Sequence, residues 1–166
     1  SFSTSPEDGL NGSIDLYGLR IDSLQLDTIY FKTLQDSVQV KFYSGVKALA
    51  NKRQEAFDIS LNGYIGSTDA QLAIGYLNGK RETGVDLGLK AQLRPNGISM
   101  HITPENPTLV YRPFKVNHGN YIYLSDEGRI HADVKIYDEN HSGLSLYSTP
   151  DSLVQQDLTV ALNQID

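Results

Sequence analysis

Residues 85–93 read Val-Asp-Leu-Gly-Leu-Lys-Ala-Gln-Leu, an alternation of apolar side chains with polar or small ones. Successive side chains of a β-strand point to opposite faces of its sheet, so this pattern predicts a strand with one dry and one wet face. The same alternation occurs at residues 38–42 and 57–65, and with shifts of phase it extends from Ile14 to Ile165. The chain is therefore predicted to be β-sheet along nearly its whole length.

Turn residues separate the alternating segments. Asn78-Gly79 and the stretch from Arg94 to Gly97 are typical of the tight turns that join antiparallel neighbours. Parallel neighbours would need crossovers of about a dozen residues, and the spacers are too short for them. We therefore expect an antiparallel meander with strands at about 13–21, 23–31, 37–50, 56–65, 69–77, 83–93, 97–103, 109–116, 120–125, 129–137, 143–148 and 157–165.

Two stretches fit this pattern less well. Residues 46–57 also place apolar side chains at near-helical spacing, so a helix is the alternative there to a strand kinked near Gly45. Residues 103–113 contain three prolines, and proline cannot donate a hydrogen bond to a sheet ladder. We expect an excursion or an edge crossing over residues 103–113.

Composition narrows the class of protein. The 166 residues favour one domain, residues 1–166, without a compositional break. A net charge of −6 argues against a general affinity for nucleic acid or for anionic lipid headgroups, both of which call for clustered lysine and arginine. The absence of cysteine excludes disulfides and thiolate metal sites, and the sequence has no run of about 18 apolar residues. Because the alternation is still under way at the last residues, we expect this chain to be a segment of a longer protein.

Catalytic and metal-binding motifs are absent from the sequence. It contains no zinc-protease, nucleophile-elbow, phosphate-loop or EF-hand signature. His131 and Asp133 share one strand face, but it is the face opposite Ile130, so they are interpreted as solvated polar residues. His101, His118 and His141 also suggest a metal site, but no metal-binding motif joins them, and we expect no enzyme activity, no cofactor and no metal site.

Short modification-like motifs also occur. Asn11-Gly12-Ser13 and Asn140-His141-Ser142 are glycosylation tripeptides, which also arise by chance. Four triplets of Asp, Ser or Thr and an aliphatic residue resemble an O-glycan acceptor of envelope proteins, although turn capping before a strand explains them as well. The triplets begin at Asp22, Asp27, Asp36 and Asp151.

The dry faces of the strands carry the main functional question. Fully burying a large apolar side chain stabilises a fold by about 1.5–3 kcal/mol, so these faces represent on the order of 20–40 kcal/mol. Either a second layer closes over them, as in a sandwich or barrel, or the sheet curls into a trough that holds something apolar. The candidate lining residues are Leu72, Ile74, Tyr76, Val85, Leu87, Leu89, Ile98, Met100, Ile102, Ile122, Leu124, Ile130, Val134, Ile136, Leu144 and Leu146.

Several segments resemble a known family. Residues 109–124 read Leu-Val-Tyr-Arg-Pro-Phe-Lys-Val-Asn-His-Gly-Asn-Tyr-Ile-Tyr-Leu, and residues 128–133 read Gly-Arg-Ile-His-Ala-Asp. Together with residues 78–88 and the Leu-Gln-Asp element at 34–36, they resemble the C-terminal half of the TamB proteins, AsmA-like proteins of Gram-negative bacteria. The resemblance covers most of the chain, and strand-and-turn patterns carry it rather than catalytic motifs.

The resemblance implies a fold and a function. The fold would be all-β, an antiparallel meander curled into a β-taco, which is a U-shaped trough with an apolar interior. The function would be to carry phospholipid acyl chains between the inner and outer membranes, as part of an inner-membrane-anchored protein of the periplasm that supports outer-membrane biogenesis. A TamA- or BamA-type outer-membrane barrel would be a partner of other parts of the parent chain.

Two other functions are alternatives at this point. A closed β-sandwich would be a carbohydrate-binding or adhesion module, with Tyr121, Tyr123 and Tyr137 as its platform. The tyrosines are also explained as cross-strand packing. An open trough could instead serve as a chaperone groove that binds strands of outer-membrane proteins by strand addition at its edge.

Overall fold

Within the described residues, most strands form where the alternation predicts a dry face and a wet face. The computed structural model describes residues 2–5, 9–148 and 158–163, and none of these residues is helical. In these ranges no helix is available that could cross a membrane. The strands are β1 (Phe2–Ser5), β2 (Gly9–Ile21), β3 (Leu24–Gln35), β4 (Gln39–Ala48), β5 (Phe57–Gly66), β6 (Asp69–Asn78), β7 (Thr83–Arg94), β8 (Gly97–Leu109), β9 (Arg112–Pro113), β10 (Lys115–Val116), β11 (Tyr121–Ser125), β12 (Ile130–Tyr137), β13 (Gly143–Ser148) and β14 (Leu158–Asn163).

All of these strands belong to one antiparallel sheet. From β1 to β8 each strand pairs with the next along the chain, and the order continues through β11, β12, β13 and β14. Strand β9 pairs with β8, and β10 pairs with β12. The expected antiparallel meander is therefore confirmed, and the helix considered over residues 46–57 is wrong, because β4 ends at Ala48 and a loop follows.

Side chains close several of the turns. Asp22, at φ 52°, and Ser23 form a two-residue connection between the paired residues Ile21 and Leu24. The Asn78 Oδ1 atom accepts hydrogen bonds from the N–H groups of Lys80 and Glu82, both at 3.0 Å. Polar side chains at strand ends thus satisfy backbone donors that the ladder leaves free, as the turn chemistry predicts.

The proline-containing region differs from the predicted strands 97–103 and 109–116. Strand β8 runs through to Leu109, but its pairing with β7 jumps from Thr103 to Thr108, so residues 104–107 bulge out of the ladder. Val110 and Tyr111, at φ 50° and 62°, then form a tight turn into β9. The expected excursion is present, whereas a continuous strand over 109–116 is wrong because this turn interrupts it.

Beside this region, two asparagine side chains form hydrogen bonds with strand backbone groups that have no partner strand there. Strands β10 and β11 both pair with β12, but the loop of residues 117–120 separates them. The Asn120 side chain accepts a hydrogen bond from Ile102 N–H at 2.7 Å and donates one to Ile102 O at 3.3 Å. Asn117 Oδ1 accepts from Lys135 N–H at 2.8 Å. Amide side chains therefore replace the missing ladder bonds between β8 and β12.

The sheet is open rather than closed. The chain exposes 11504 Å² of surface, whereas a compact monomer of 18.4 kDa exposes about 8,200 Å². Within the described part of the chain, the buried hydrophobic side chains other than Pro107 are Leu26, Ala48, Val116, Ala132 and Val134. No sandwich core of two packed layers is present in those residues. The fold is thus an all-β meander curled into an open taco, and not the alternative closed sandwich.

Candidate functional site

The pairing register collects the predicted lining residues on one face. Residues directly opposite each other in an antiparallel pair point to the same side of the sheet. One row runs from Phe42 through Gly63, Leu72 and Leu89 to Ile102. Rows through Met100–Ile122 and Val134–Leu146 extend the same side as far as β13, so all the residues predicted to line the trough lie on it. We call this side the apolar face.

The apolar face is wider than the set of lining residues predicted from the sequence. Strands β2 to β5 add further apolar residues to it. The alternation predicts that these residues lie on dry strand faces, but they are not among the residues predicted to line the trough. Their register connects them to Tyr76 and Val85 in a single row. The members of that row are Leu16, Ile29, Val46 and Ile59, and a neighbouring row adds Ile14, Phe31 and Leu61. The signal that could have found them is the same period of two.

Much of this face is open to solvent. Leu72 is 41% exposed and Ile74 is 43% exposed, although both side chains lie in the middle of the sheet. On β13 and β14, Leu144, Val160 and Leu162 are exposed as well. Exposed apolar surface of this kind occurs in proteins at interaction sites and ligand-binding grooves, and it is also an aggregation liability.

The face is closed in one place, on β12. Ala132 is 2% exposed and Val134 is 4% exposed, and Val116 of β10 is also buried. Val134 is therefore a packing residue, and an arginine there would disrupt the sheet rather than report on the face. Leu87 and Ile74 lie opposite each other on β7 and β6 and are better positions to test the lining.

The chemistry of the apolar face is almost purely aliphatic and aromatic. Phe42 lies across Gly63, where a Cβ atom would come within 2.7 Å of the Phe42 ring. Thr33 is paired with Gly12 and Phe42 and is buried, and its Oγ1 atom has no hydrogen-bond partner among the described residues. Such a surface offers mainly dispersion contacts, with the Thr33 hydroxyl as a polar group among them.

A tyrosine pair marks one end of the apolar face. Tyr111, carried by the turn between β8 and β9, places its ring edge-on to Tyr76 with centroids 6.2 Å apart. A hydrogen bond to Tyr76, with some desolvation, raises the pKa of the Tyr111 phenol above its usual value of 10.0. The Tyr111 N–H also donates to Gly84 O at 3.1 Å. These hydroxyl groups give the aliphatic surface a polar border at that end.

The histidines lie apart from the apolar face and from one another. His101 Nδ1 is hydrogen-bonded to Asn120 O at 2.5 Å, and His118 Nδ1 lies 3.1 Å from Glu105 Oε1. His131 and His141 each lie beside a tyrosine ring. No group of three or more potential metal ligands occurs in the part of the chain that the structure describes.

The three tyrosines of the possible sugar platform, Tyr121, Tyr123 and Tyr137, lie on the polar side of the sheet. Tyr121 and Tyr123 lie on β11 opposite Asp133 and His131, on the polar side of the sheet. The ring contacts recorded for the described platform residues join Tyr123 to His131 and Tyr137 to His141, with no tyrosine stacked on another. Their cross-strand contacts fit the packing explanation.

The short motifs fall in different settings. Asp22-Ser23 forms a turn, and Asp36 Oδ1 accepts hydrogen bonds from Val38 N–H at 2.8 Å and Gln39 N–H at 2.9 Å. Turn capping thus explains these two, whereas Asp27 lies inside β3 and is not a strand-entry cap. The triplet that begins at Asp151 lies outside the described residues.

Known proteins add no further constraint. Comparisons of the chain with protein-family models, curated proteins and solved structures found no match. The geometry of the apolar face therefore carries the functional argument.

Proposed function

We propose that this chain is a segment of a TamB-like lipid-conducting protein of the cell envelope. In this proposal the apolar face carries phospholipid acyl chains between the inner and outer membranes, and the headgroups stay in water at the mouth of the trough. The chain acts by binding and guiding its cargo and not as an enzyme. Its place would be the periplasm, as part of an inner-membrane-anchored protein.

One observation carries the proposal: the apolar face is continuous across the strands and yet exposed. Burying a face of this kind is worth on the order of tens of kcal/mol, against a net domain stability of about 5–15 kcal/mol. A sheet that leaves Leu72 and Ile74 more than 40% exposed forgoes much of that gain. An acyl chain laid on these residues would supply the missing contacts.

The shape and chemistry of the face suit transport better than storage. A deep pocket would hold one lipid tightly, whereas rows of interchangeable aliphatic contacts of about 0.1–0.2 kcal/mol per atom pair let a chain slide from row to row. The row of Gly63, Leu72, Leu89 and Ile102 repeats, strand after strand, nearly the same surface. A TamA- or BamA-type barrel remains the proposed partner of other parts of the parent protein.

Phospholipid binding by this chain tests the proposal directly. The chain is mixed with phosphatidylethanolamine and phosphatidylglycerol in a mild detergent, and bound lipid is counted by native mass spectrometry. Ile74→Arg places a charge on the exposed apolar face, and an acyl chain bound over it would have to desolvate that charge. We expect the variant to reduce lipid occupancy about ten-fold or more.

Ala73→Arg is the matched control, because Ala73 is the neighbouring residue on the same strand and its side chain lies on the polar face beside Gly88. It should leave lipid occupancy unchanged, and circular dichroism should show both variants folded. In the parent protein, Leu87→Arg should likewise block lipid transfer. A folded Ile74→Arg chain that binds as much lipid as the original sequence would refute the proposal.

A further inference from the structure

A concavity of about 360 Å³ lies where the turn between β2 and β3 meets the loop between β4 and β5. Three cationic side chains line it, those of Arg20, Lys52 and Arg53, together with the carboxylate of Asp22. Ser23, Gln25 and Asn51 complete the polar lining. The lining therefore has an excess of two positive charges, in a chain whose net charge is −6.

The Gln54 side chain fixes the loop between β4 and β5 in place. It forms with the Gln25 backbone the two hydrogen bonds that a neighbouring strand would form. Gln25 N–H donates to Gln54 Oε1 at 2.9 Å, and Gln54 Nε2 donates to Gln25 O at 2.8 Å. Within the loop, Arg53 N–H donates to Asn51 Oδ1 at 2.8 Å. These bonds hold the loop of residues 49–56 against β3, so Lys52 and Arg53 are brought beside Arg20 by defined contacts.

The three cations form no ion pair with another described residue. None of the ion pairs found among the described residues involves Arg20, Lys52 or Arg53. The guanidinium of Arg20 contacts the neutral Oε1 atom of Gln25 at 3.4 Å. Like charges gathered in one concavity repel one another, and a bound anion would relieve that repulsion. The donors of two guanidinium groups match the oxygens of a phosphate.

We propose that this concavity binds a phosphate group, of the kind that a phospholipid headgroup carries. The paired residues Arg20 and Gln25 lie four residues beyond the apolar pair Leu16 and Ile29 on the same two strands, a separation of about 13 Å. An acyl chain spans about 15 Å, half of a bilayer core. One lipid could thus place its phosphate in the concavity and its chains on the apolar face. Inorganic phosphate would bind to the same groups. The part of the proposal in which the phosphate belongs to a phospholipid rests on the proposed function.

Calorimetric titration of this chain tests the site with two probes, inorganic phosphate and monomeric dihexanoylphosphatidylglycerol. The double variant Arg20→Gln/Arg53→Gln removes two of the three cations. The control Lys80→Gln/Arg81→Gln removes the same charge from the β6–β7 turn at the same end of the sheet. We expect the site variant to weaken both probes about ten-fold or more, because each charge-assisted hydrogen bond is lost. The control should change affinity less than about two-fold.

The outcomes separate the site from the proposed function. Equal weakening by the two double variants would mean diffuse charge attraction and would overturn the site, as would probes that bind neither variant nor the original chain. Lipid that binds the original chain and the site variant equally well would overturn the site and leave the proposed function standing. If phosphate and lipid bind equally tightly and only through Arg20 and Arg53, the concavity is a phosphate site. The proposal that a phospholipid headgroup occupies it would then be refuted.

Discussion

Asn120 is an example of a single side chain that keeps the sheet intact where its backbone ladder is broken. It is 5% exposed, and both polar atoms of its amide bond to the backbone of Ile102. The backbone carbonyl oxygen of Asn120 is also hydrogen-bonded to the ring of His101. The sequence around it, Asn-His-Gly-Asn, is typical of an ordinary turn, so this role depends on the docking of that turn against β8.

Replacing Asn120 by alanine should destabilise the protein by about 1–3 kcal/mol, because the N–H and C=O groups of Ile102 would lose their partners in a part-buried position. Urea denaturation followed by circular dichroism measures the free energy of unfolding. Asn140→Ala, in the exposed turn between β12 and β13, is the control and should change it by less than about 0.5 kcal/mol. Equal stability of Asn120→Ala and the original chain would contradict this reading of the contacts.

In the hairpin of β3 and β4, the contribution of one turn to folding stability depends on pH. Hydrogen bonds from Val38 N–H and then Gln39 N–H hold the pKa of the Asp36 carboxyl below its usual value of 3.8, and Lys41 at 3.8 Å adds a smaller effect. A group whose pKa is lowered by folding stabilises the folded state above its unfolded pKa. This contribution is therefore complete at neutral pH and is lost as the pH falls below 3.8 through the folded pKa.

Asp36→Asn keeps the shape of the turn and removes the charge, so it isolates this effect. We expect a lower urea midpoint than that of the original chain at pH 7 and a smaller difference at pH 2, below the usual aspartate pKa of 3.8. The measurement at pH 2 is the internal control. A loss of the same size at both pH values would show that the variant perturbs the turn by its shape and not by its charge.

The regular elements were predictable and the irregular ones were not. Strands β5 and β7 begin and end within a few residues of their predicted bounds, because the period of two is unbroken in both. Strands β9 and β10 were predicted as one strand over 109–116, since two residues carry no periodicity and their separate pairing depends on distant partners in β8 and β12. The extension of β8 past the prolines was missed, because the bulge at residues 104–107 lets the ladder resume beyond them.

The whole sheet exposes apolar surface that a compact domain of the same length would bury. Heat capacity measures this surface, since exposing apolar groups on unfolding raises it. A compact chain of 166 residues would give about 2.0–2.5 kcal/mol/K for unfolding. With an open apolar face, calorimetry of the monomer should give a value clearly below this range.

Light scattering on the same sample serves as the control, because two chains that cover each other's apolar faces would raise the heat capacity change. A monomer with a value of 2.5 kcal/mol/K or more would mean that the face is closed in solution. In that case the argument for acyl-chain binding would fail together with the open fold.

The sequence by itself determined the all-β class, the antiparallel order and the side of each strand that is dry, because the period of two and the turn residues act over a few neighbours. Only the tertiary structure decided that the dry sides of residues such as Leu72 and Leu144 join into one face and that this face stays open. It also decided that Arg20 meets Lys52 and Arg53. The reason is physical: alternation fixes which way a side chain points, whereas curvature, register and loop docking depend on contacts between residues far apart in the chain.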